Sequence, residues 1–186
     1  MKQHLHDDFC IRHFLYGDAS GLARNGDNPK VAINQRECFP SPYTLDVARQ
    51  WIQYIKENEV NTRFVIANDK EAIGEIGVVK QLDVHRHSAE IGFWIGEAYW
   101  GQGIMTRAVN WMADYCFREL NVRRLFADVV EFNLPSQRVL HKCGFQREGV
   151  FRKNICRDEQ FYDQFVYARL SDDPPPPATG QPKEKG

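Results

Sequence analysis

Residues 95–106, IGEAYWGQGIMT, lead from a β-rich stretch through two closely spaced glycines, Gly101 and Gly103, into a pattern of helical period. This arrangement is suited to holding a pyrophosphate. The first turn of a helix leaves its N–H groups without acceptors and carries the positive end of the helix dipole. Glycines let the backbone curl round an anion, and Gln102 and Thr106 offer side-chain donors. The spacing is not that of a P-loop, which requires a lysine after its last glycine. Nor is it a dinucleotide fingerprint, which requires a third glycine three residues on. Two glycines alone also read as a plain turn.

Other chemistry is sparse. Cys10, Cys38, Cys116, Cys143 and Cys156 are odd in number and widely spaced, with no C-x-x-C pair, which argues against a disulfide framework and a structural zinc site. His85 and His87 form an H-x-H pair with no neighbouring Cys or His to complete a site, so no metal is expected. The 24 Lys and Arg against 25 Asp and Glu leave a formal net charge of -1, giving no global field for nucleic acid or an anionic membrane. Apolar runs are far shorter than the roughly 20 residues that span a bilayer, and the first eight residues are too polar for a secretory signal. The expectation is a cytoplasmic protein, monomer or homodimer.

The elements that position the glycine segment follow from periodicity. Phe9 to Phe14 reads as a strand, Asp18 as the cap of a short helix to about Asn25, and Thr44 as the cap of a helix with Leu45, Ala48, Trp51, Ile52 and Ile55 on one face. Thr62 to Ala67 and Ala72 to Leu82 flank the turn Asn68-Asp69-Lys70-Glu71, a hairpin signal. In Ser88 to Ile95, Ile91, Phe93 and Ile95 alternate with Glu90, Gly92 and Trp94. Met105, Ala108, Val109, Met112, Cys116 and Leu120 recur at helical spacing after the glycines. A strand over Arg124 to Val130, a helix from Asn133 to His141 stopped by Gly144, and strands over Gly149 to Ile155 and Phe161 to Leu170 complete the order βααβββαβαββ. The fold class is therefore α+β, with a mixed α/β sheet. With 186 residues and 42% hydrophobic content, one domain over 1–170 is expected, and five of the nine prolines after Leu170 point to a disordered tail over 171–186.

Trp100-Gly101-Gln102-Gly103-Ile104-Met105 resembles the acetyl-CoA-binding motif Q/R-x-x-G-x-G/A of the GNAT superfamily of N-acetyltransferases. It matches at Gly103, with Trp100 and Met105 departing from the pattern. The stretch Tyr99 to Gly103, YWGQG, is similar to the Y-W-G-K-G of the branch containing the Rim-type ribosomal-protein N-terminal acetyltransferases. Phe39 to Thr44 (FPSPYT), Ala89 to Phe93 (AEIGF) and Asn133 to Phe145 (NLPSQRVLHKCGF), followed by Glu148-Gly149, agree with it. The resemblance implies a GNAT fold, a sheet splayed like a V between its fourth and fifth strands, here Ile95 and its strand and Arg124 to Val130. Acetyl-CoA is the implied cosubstrate: backbone groups around Trp94 and Ile95 meet the pantetheine amides, and Gly101, Gln102, Gly103, Ile104, Met105 and Thr106 hold the pyrophosphate. Asn133 and Ser136 meet the pantetheine arm and the sulfur end, and both also read as helix caps.

The implied reaction is attack of a primary amine, a protein N-terminus or a small molecule, on the thioester in a ternary complex. Many family members supply a tyrosine to the leaving thiolate, but Leu140 occupies that position, so Ser136 is the substitute, with a pure capping role as the alternative. Glu90, a carboxylate among β-rich apolar neighbours, is the expected base, and Glu75 a second candidate. A solvated or ion-paired role for Glu90 remains open at this point. Phe39, Tyr43 and Phe161 are expected aromatic walls for the acceptor, and Asp163 either binds the substrate amine or holds the closing hairpin. The competing function is a GNAT-fold protein that binds CoA and senses it without catalysis.

Overall fold

The protein is described by a computed structural model over residues 2–6 and 8–176. Eight strands form one sheet in the order β1-β2-β3-β4-β5-β6-β8-β7: β1 (Lys2–His6), β2 (Phe9–Arg12), β3 (Arg63–Ala67), β4 (Ala72–Lys80), β5 (Ser88–Ile95), β6 (Arg124–Val130), β7 (Gln146–Arg157) and β8 (Gln160–Leu170). The helices are α1 (Ala19–Gly26), α2 (Pro29–Ala32), α3 (Leu45–Asn58), α4 (Ile104–Glu119) and α5 (Leu134–Lys142).

Every neighbouring pair is antiparallel except β5 and β6, and that pair produces the central feature. Its ladder covers only Ser88↔Arg124, Ala89↔Leu125 and Glu90↔Phe126, although the strands continue to Ile95 and Val130. Beyond Glu90, β5 stays paired with β4 as far as Gly74↔Ile95, and β6 stays paired with β8 as far as Val130↔Gln164. Each half of the sheet keeps its own partner, so the two strands part and leave an opening. The expected V is thus present between the two expected segments. They are the fifth and sixth strands, because the N-terminal Lys2–His6 strand was not anticipated.

Side-chain alternation divides the core between the two faces of the sheet. On one face Ile11, Phe64, Ile76, Ile91 and Leu125 pack against Ala108, Met112 and Cys116 of α4. On the other, Val65 and Trp94 pack against Leu22 of α1 and Ala48, Ile52 and Ile55 of α3. Each fully buried branched or aromatic side chain contributes about 1.5–3 kcal/mol relative to exposure. The strands approach closely at Gly74, where a Cβ would lie 2.3 Å from the Trp94 carbonyl oxygen.

Several local expectations are refined. Thr44 caps α3, its hydroxyl accepting the Val47 N–H at 3.3 Å. Asp18 sits at the start of α1 but does not cap it: Arg12 binds both its oxygens at 2.7 Å, and the Leu15 N–H donates to Oδ2 at 2.7 Å, so the carboxylate is already committed. The short helix α2, capped by Asn28 with Pro29 in its first turn, was not anticipated. Strand β7 starts at Gln146 rather than Gly149. At the C-terminus, the Leu170 N–H donates to Asp173 Oδ2 at 2.7 Å in a turn; from 177 onward, the expected disordered tail lies outside the described residues. Among those residues, no helix is long and apolar enough to cross a membrane.

Candidate active site

The opening between β5 and β6 joins two hollows. One, of about 580 Å³, runs between the start of α4 and the exposed side of α5. The other, of about 680 Å³, lies over the sheet face covered by α3 and the segment 34–40. Six residues line both: Asn34 and Gln35 from the segment after α2, and Phe93, Trp94, Asn133 and Ser136, which form the junction beside the parted strands.

The first hollow presents unpaired backbone N–H groups on one wall and two cations on the other. Gly101 and Gly103 both have φ of +76°, a conformation other residues rarely adopt, and a Cβ at either would meet nothing within 4 Å. The bend turns the chain into α4 so that, among the described residues, no backbone N–H from Gly101 to Thr106 has a protein acceptor. Ile104, Met105 and Thr106 are buried along this wall. On the facing wall Arg138 and Lys142, one turn apart on α5, are exposed and carry no ion partner among the described residues. Gln102 does not join them: its side-chain amide donates to the Ala98 carbonyl at 3.0 Å, turned back into the preceding turn. The Trp100 indole donates to the Ile95 carbonyl at 2.8 Å and braces the bend.

At the junction, backbone direction follows from the ladder. The Gly96 N–H donates to Ile73 O at 2.8 Å, which extends the β4–β5 register. By alternation Trp94 directs its N–H and C=O to Glu75 on β4, whereas Phe93 and Ile95 direct theirs towards the opening. Of Trp94 and Ile95, therefore, only Ile95 turns its backbone groups to the opening, where Phe93 joins it and the Trp100 indole takes the Ile95 carbonyl. Asn133 Oδ1 accepts the Ser136 N–H at 3.2 Å and so caps α5. The Ser136 hydroxyl forms no hydrogen bond among the described residues, and Ser136 lines both hollows. Leu140 is fully buried in the core, so the position where family members carry a tyrosine offers no donor.

The second hollow has aromatic walls. Phe39, Tyr43 and Trp94 form a cluster with ring centroids 5.0–5.9 Å apart, and Trp51 stacks on Tyr54 at 5.5 Å. Burial, with the neighbouring Glu75 charge, pushes the Tyr43 phenol above its ordinary range. Glu75 is 4% exposed. Its Oε2 accepts the Trp51 indole N–H at 2.7 Å, its Oε1 accepts from Arg63 at 2.9 Å, and Arg63 also pairs with Glu59. Desolvation raises the Glu75 carboxyl from its ordinary range, outweighing Arg63 and Trp51, which favour the charged form.

Glu90 stands at the far end of this hollow, in an ion pair with Arg36. Asp163 and Phe161 line neither hollow. The Asp163 carboxylate accepts the Lys153 N–H at 2.9 Å within the β7–β8 hairpin, the second of the two roles foreseen for it. Among the described residues no group of three or more His, Cys, Asp or Glu could hold a metal ion. Arg36, Arg63, Asp128, Arg138 and Lys142 were not foreseen. An ion pair across 54 residues, as between Arg36 and Glu90, leaves no trace in local spacing, but the helical spacing of Arg138 and Lys142 was open to reading.

The chain matches the family model described as an acetyltransferase (GNAT) domain over residues 8–146. It is 37% identical over 118 residues to a probable N-acetyltransferase, YjcK, of Bacillus subtilis, an alignment covering 63% of this chain and 65% of that protein. It is 32% identical over 166 residues to an uncharacterized N-acetyltransferase, p20, of Bacillus licheniformis, covering 86% and 91% respectively. Among solved structures, a GNAT-family acetyltransferase from Bacillus anthracis superposes with a TM-score of 0.79 at 24% identity, covering 93% of this chain and 100% of that one. A Rim-type structural neighbour, Mycobacterium smegmatis RimJ in complex with CoA-disulfide, gives 0.78 at 23% identity, covering 88% and 82%. At such identities the structural likeness is one of fold. The matched model spans most of the chain, from β2 through the glycine bend and the splayed strands to α5, and on that ground the protein belongs to the GNAT acetyltransferase domain family.

Proposed function

We propose that the protein transfers an acetyl group from acetyl-CoA to a primary amine by direct attack in a ternary complex. The observation that carries this reading is the junction, where an anion-holding groove and an aromatic, carboxylate-bearing pocket share Phe93, Trp94, Asn133 and Ser136 beside the parted strands. The groove fits the cosubstrate. The free N–H groups from Gly101 to Thr106 receive the pyrophosphate, Arg138 and Lys142 add positive charge beside it, and the Phe93 backbone groups and the Ile95 N–H pair with the pantetheine amides.

The thioester supplies an activated carbonyl: a new N–C bond forms as the C–S bond breaks. An ammonium must first lose a proton. Glu75 is the carboxylate we assign to this step, since it stands directly opposite Trp94 at the junction end of the pocket. Glu90 lies four residues back along β5, about 13 Å of strand, and is held by Arg36. A backbone N–H of β5 that faces the opening stabilises the developing oxyanion. The Ser136 hydroxyl, free and at the junction, donates to the leaving sulfur.

Calorimetric titration of the protein with acetyl-CoA, CoA and dephospho-CoA, followed by an amine panel, tests the proposal. Saturable binding with transfer to an amine upholds it. Binding without transfer to any peptide or small amine favours the CoA-sensing reading, for which the buried Leu140 speaks. Ser136→Ala is expected to lower kcat about tenfold with acetyl-CoA affinity within about twofold, read from initial rates and calorimetry. If both are unchanged, Ser136 only starts α5. Gly92, whose Cβ would meet nothing within 4 Å, leaves the middle of the acceptor pocket open. Gly92→Leu fills that space, and the acceptor KM should rise at least about tenfold while acetyl-CoA affinity is retained. An unchanged KM would place the acceptor elsewhere.

A further inference from the structure

The acceptor pocket is polarised along its length. Register sets the order on its floor: Glu75 opposite Trp94 at the junction, Gly77 opposite Gly92 in the middle, and Val79 opposite Glu90 at the far end. The parallel pairing of Glu90 with Phe126 puts Asp128, two residues on, on the same sheet face. The glycine pair leaves a side-chain-free passage between the ends, apart from the Arg63 stem that lies over Gly77.

The charges along the pocket do not cancel. Arg36 is taken by Glu90, and Arg63 by Glu59 and Glu75. Asp128 lines the pocket, is exposed, and has no ion partner or hydrogen bond among the described residues. The pocket is also roofed. The segment 34–40 is tied to the floor by Arg36–Glu90 and to the β7–β8 hairpin by Arg157, which donates to the Gln35 carbonyl, and it covers part of the hollow.

We propose that Asp128 selects acceptors bearing a second cationic nitrogen, the class of linear diamines and polyamines. The inference rests on the acetyl-transfer reading above and names its substrate class. One nitrogen reacts at the junction while the other meets the Asp128 carboxylate in a charge-assisted hydrogen bond. Asp128 lies two residues before Val130, whose carbonyl accepts the N–H of the junction residue Asn133 at 3.0 Å, and those two residues make about 7 Å of strand, a distance that about four or five methylenes bridge. The aromatic walls Phe39, Tyr43 and Trp51 line the methylenes between.

The test uses the full chain with acetyl-CoA and three amines of similar length and reactivity: 1,5-diaminopentane, pentylamine and 5-aminopentanoate. The diamine should exceed pentylamine about tenfold in kcat/KM, with 5-aminopentanoate slowest, and added salt should shrink the preference. Asp128→Asn should cut the diamine-to-pentylamine ratio about five- to tenfold, and Asp128→Lys should turn the order in favour of 5-aminopentanoate. Equal rates in the native protein, or an Asp128→Asn variant that slows all three by the same factor, would overturn the inference with the transfer reading intact. Transfer to none of these amines but to a peptide N-terminus would overturn the inference alone, and transfer to neither, despite acetyl-CoA binding, would overturn the transfer reading with it.

Discussion

Gly103→Glu is expected to weaken acetyl-CoA binding by at least about a hundredfold in calorimetry while the protein remains folded. Two effects act at this position. Gly103 has φ of +76° at the N-cap of α4, and a side chain in the left-handed region costs about 1–2 kcal/mol. That cost is small against a typical domain stability of about 5–15 kcal/mol, so the circular dichroism spectrum should be kept. The larger effect is electrostatic. A carboxylate tethered at the positive end of α4 competes with the pyrophosphate for the same free N–H groups and repels it. Gly103→Ala separates the two effects, since it carries the backbone cost without the charge; a loss of about tenfold or less is expected there. A Gly103→Glu protein with native affinity would remove the glycine bend from the cofactor site.

The contrast between local and long-range order explains how much of this could be read from the sequence. Met105, Ala108, Val109, Met112 and Cys116 are buried where helical spacing placed them, because a helix that covers a sheet must turn one stripe inward. The Asn133 and Thr44 caps were legible for a similar reason: the donor and acceptor lie within three residues. Strand β1, KQHLH, carries no alternating pattern, and it joins the sheet as an edge strand paired only with β2. Asp18 failed as a cap because Arg12, on the neighbouring strand, competes for its oxygens.

The parting of β5 from β6 has no local signature at all. It follows from which partner each strand keeps on its other side, and only the resemblance of the glycine segment to a known motif anticipated it. The two carboxylates show the same limit. Sequence places Glu75 and Glu90 on strands of the right kind, but only the antiparallel register puts Glu75 opposite Trp94 and sends Glu90 to the other end of the pocket.

That register yields the second large effect. Glu75→Gln is expected to lower kcat by about a hundredfold or more, the usual scale for removing a positioned base, with acetyl-CoA affinity retained. Its pH dependence follows from the environment. Desolvation raises the folded-state carboxyl above the ordinary glutamate range, and only the ionised form accepts a proton. The native kcat should therefore climb with pH along a limb that starts above that range, and the limb should vanish in Glu75→Gln. Stability runs the opposite way. A raised folded-state pKa stabilises the protonated protein fully below the unfolded-state value, and this contribution is lost as pH rises through the folded-state value. Relative to Glu75→Gln, the native protein should accordingly lose melting temperature as pH rises across that window. Gln at 75 can still accept from Trp51, and Arg63 keeps Glu59, so the variant should fold. Glu90→Gln supplies the comparison: with the Arg36 pair removed at the distal end, the acceptor KM should rise a few-fold with kcat within about threefold. Should Glu90→Gln instead abolish the limb while Glu75→Gln preserves it, the proton would leave through the far end of the pocket, and the buried Trp51–Glu75–Arg63 network would be structural.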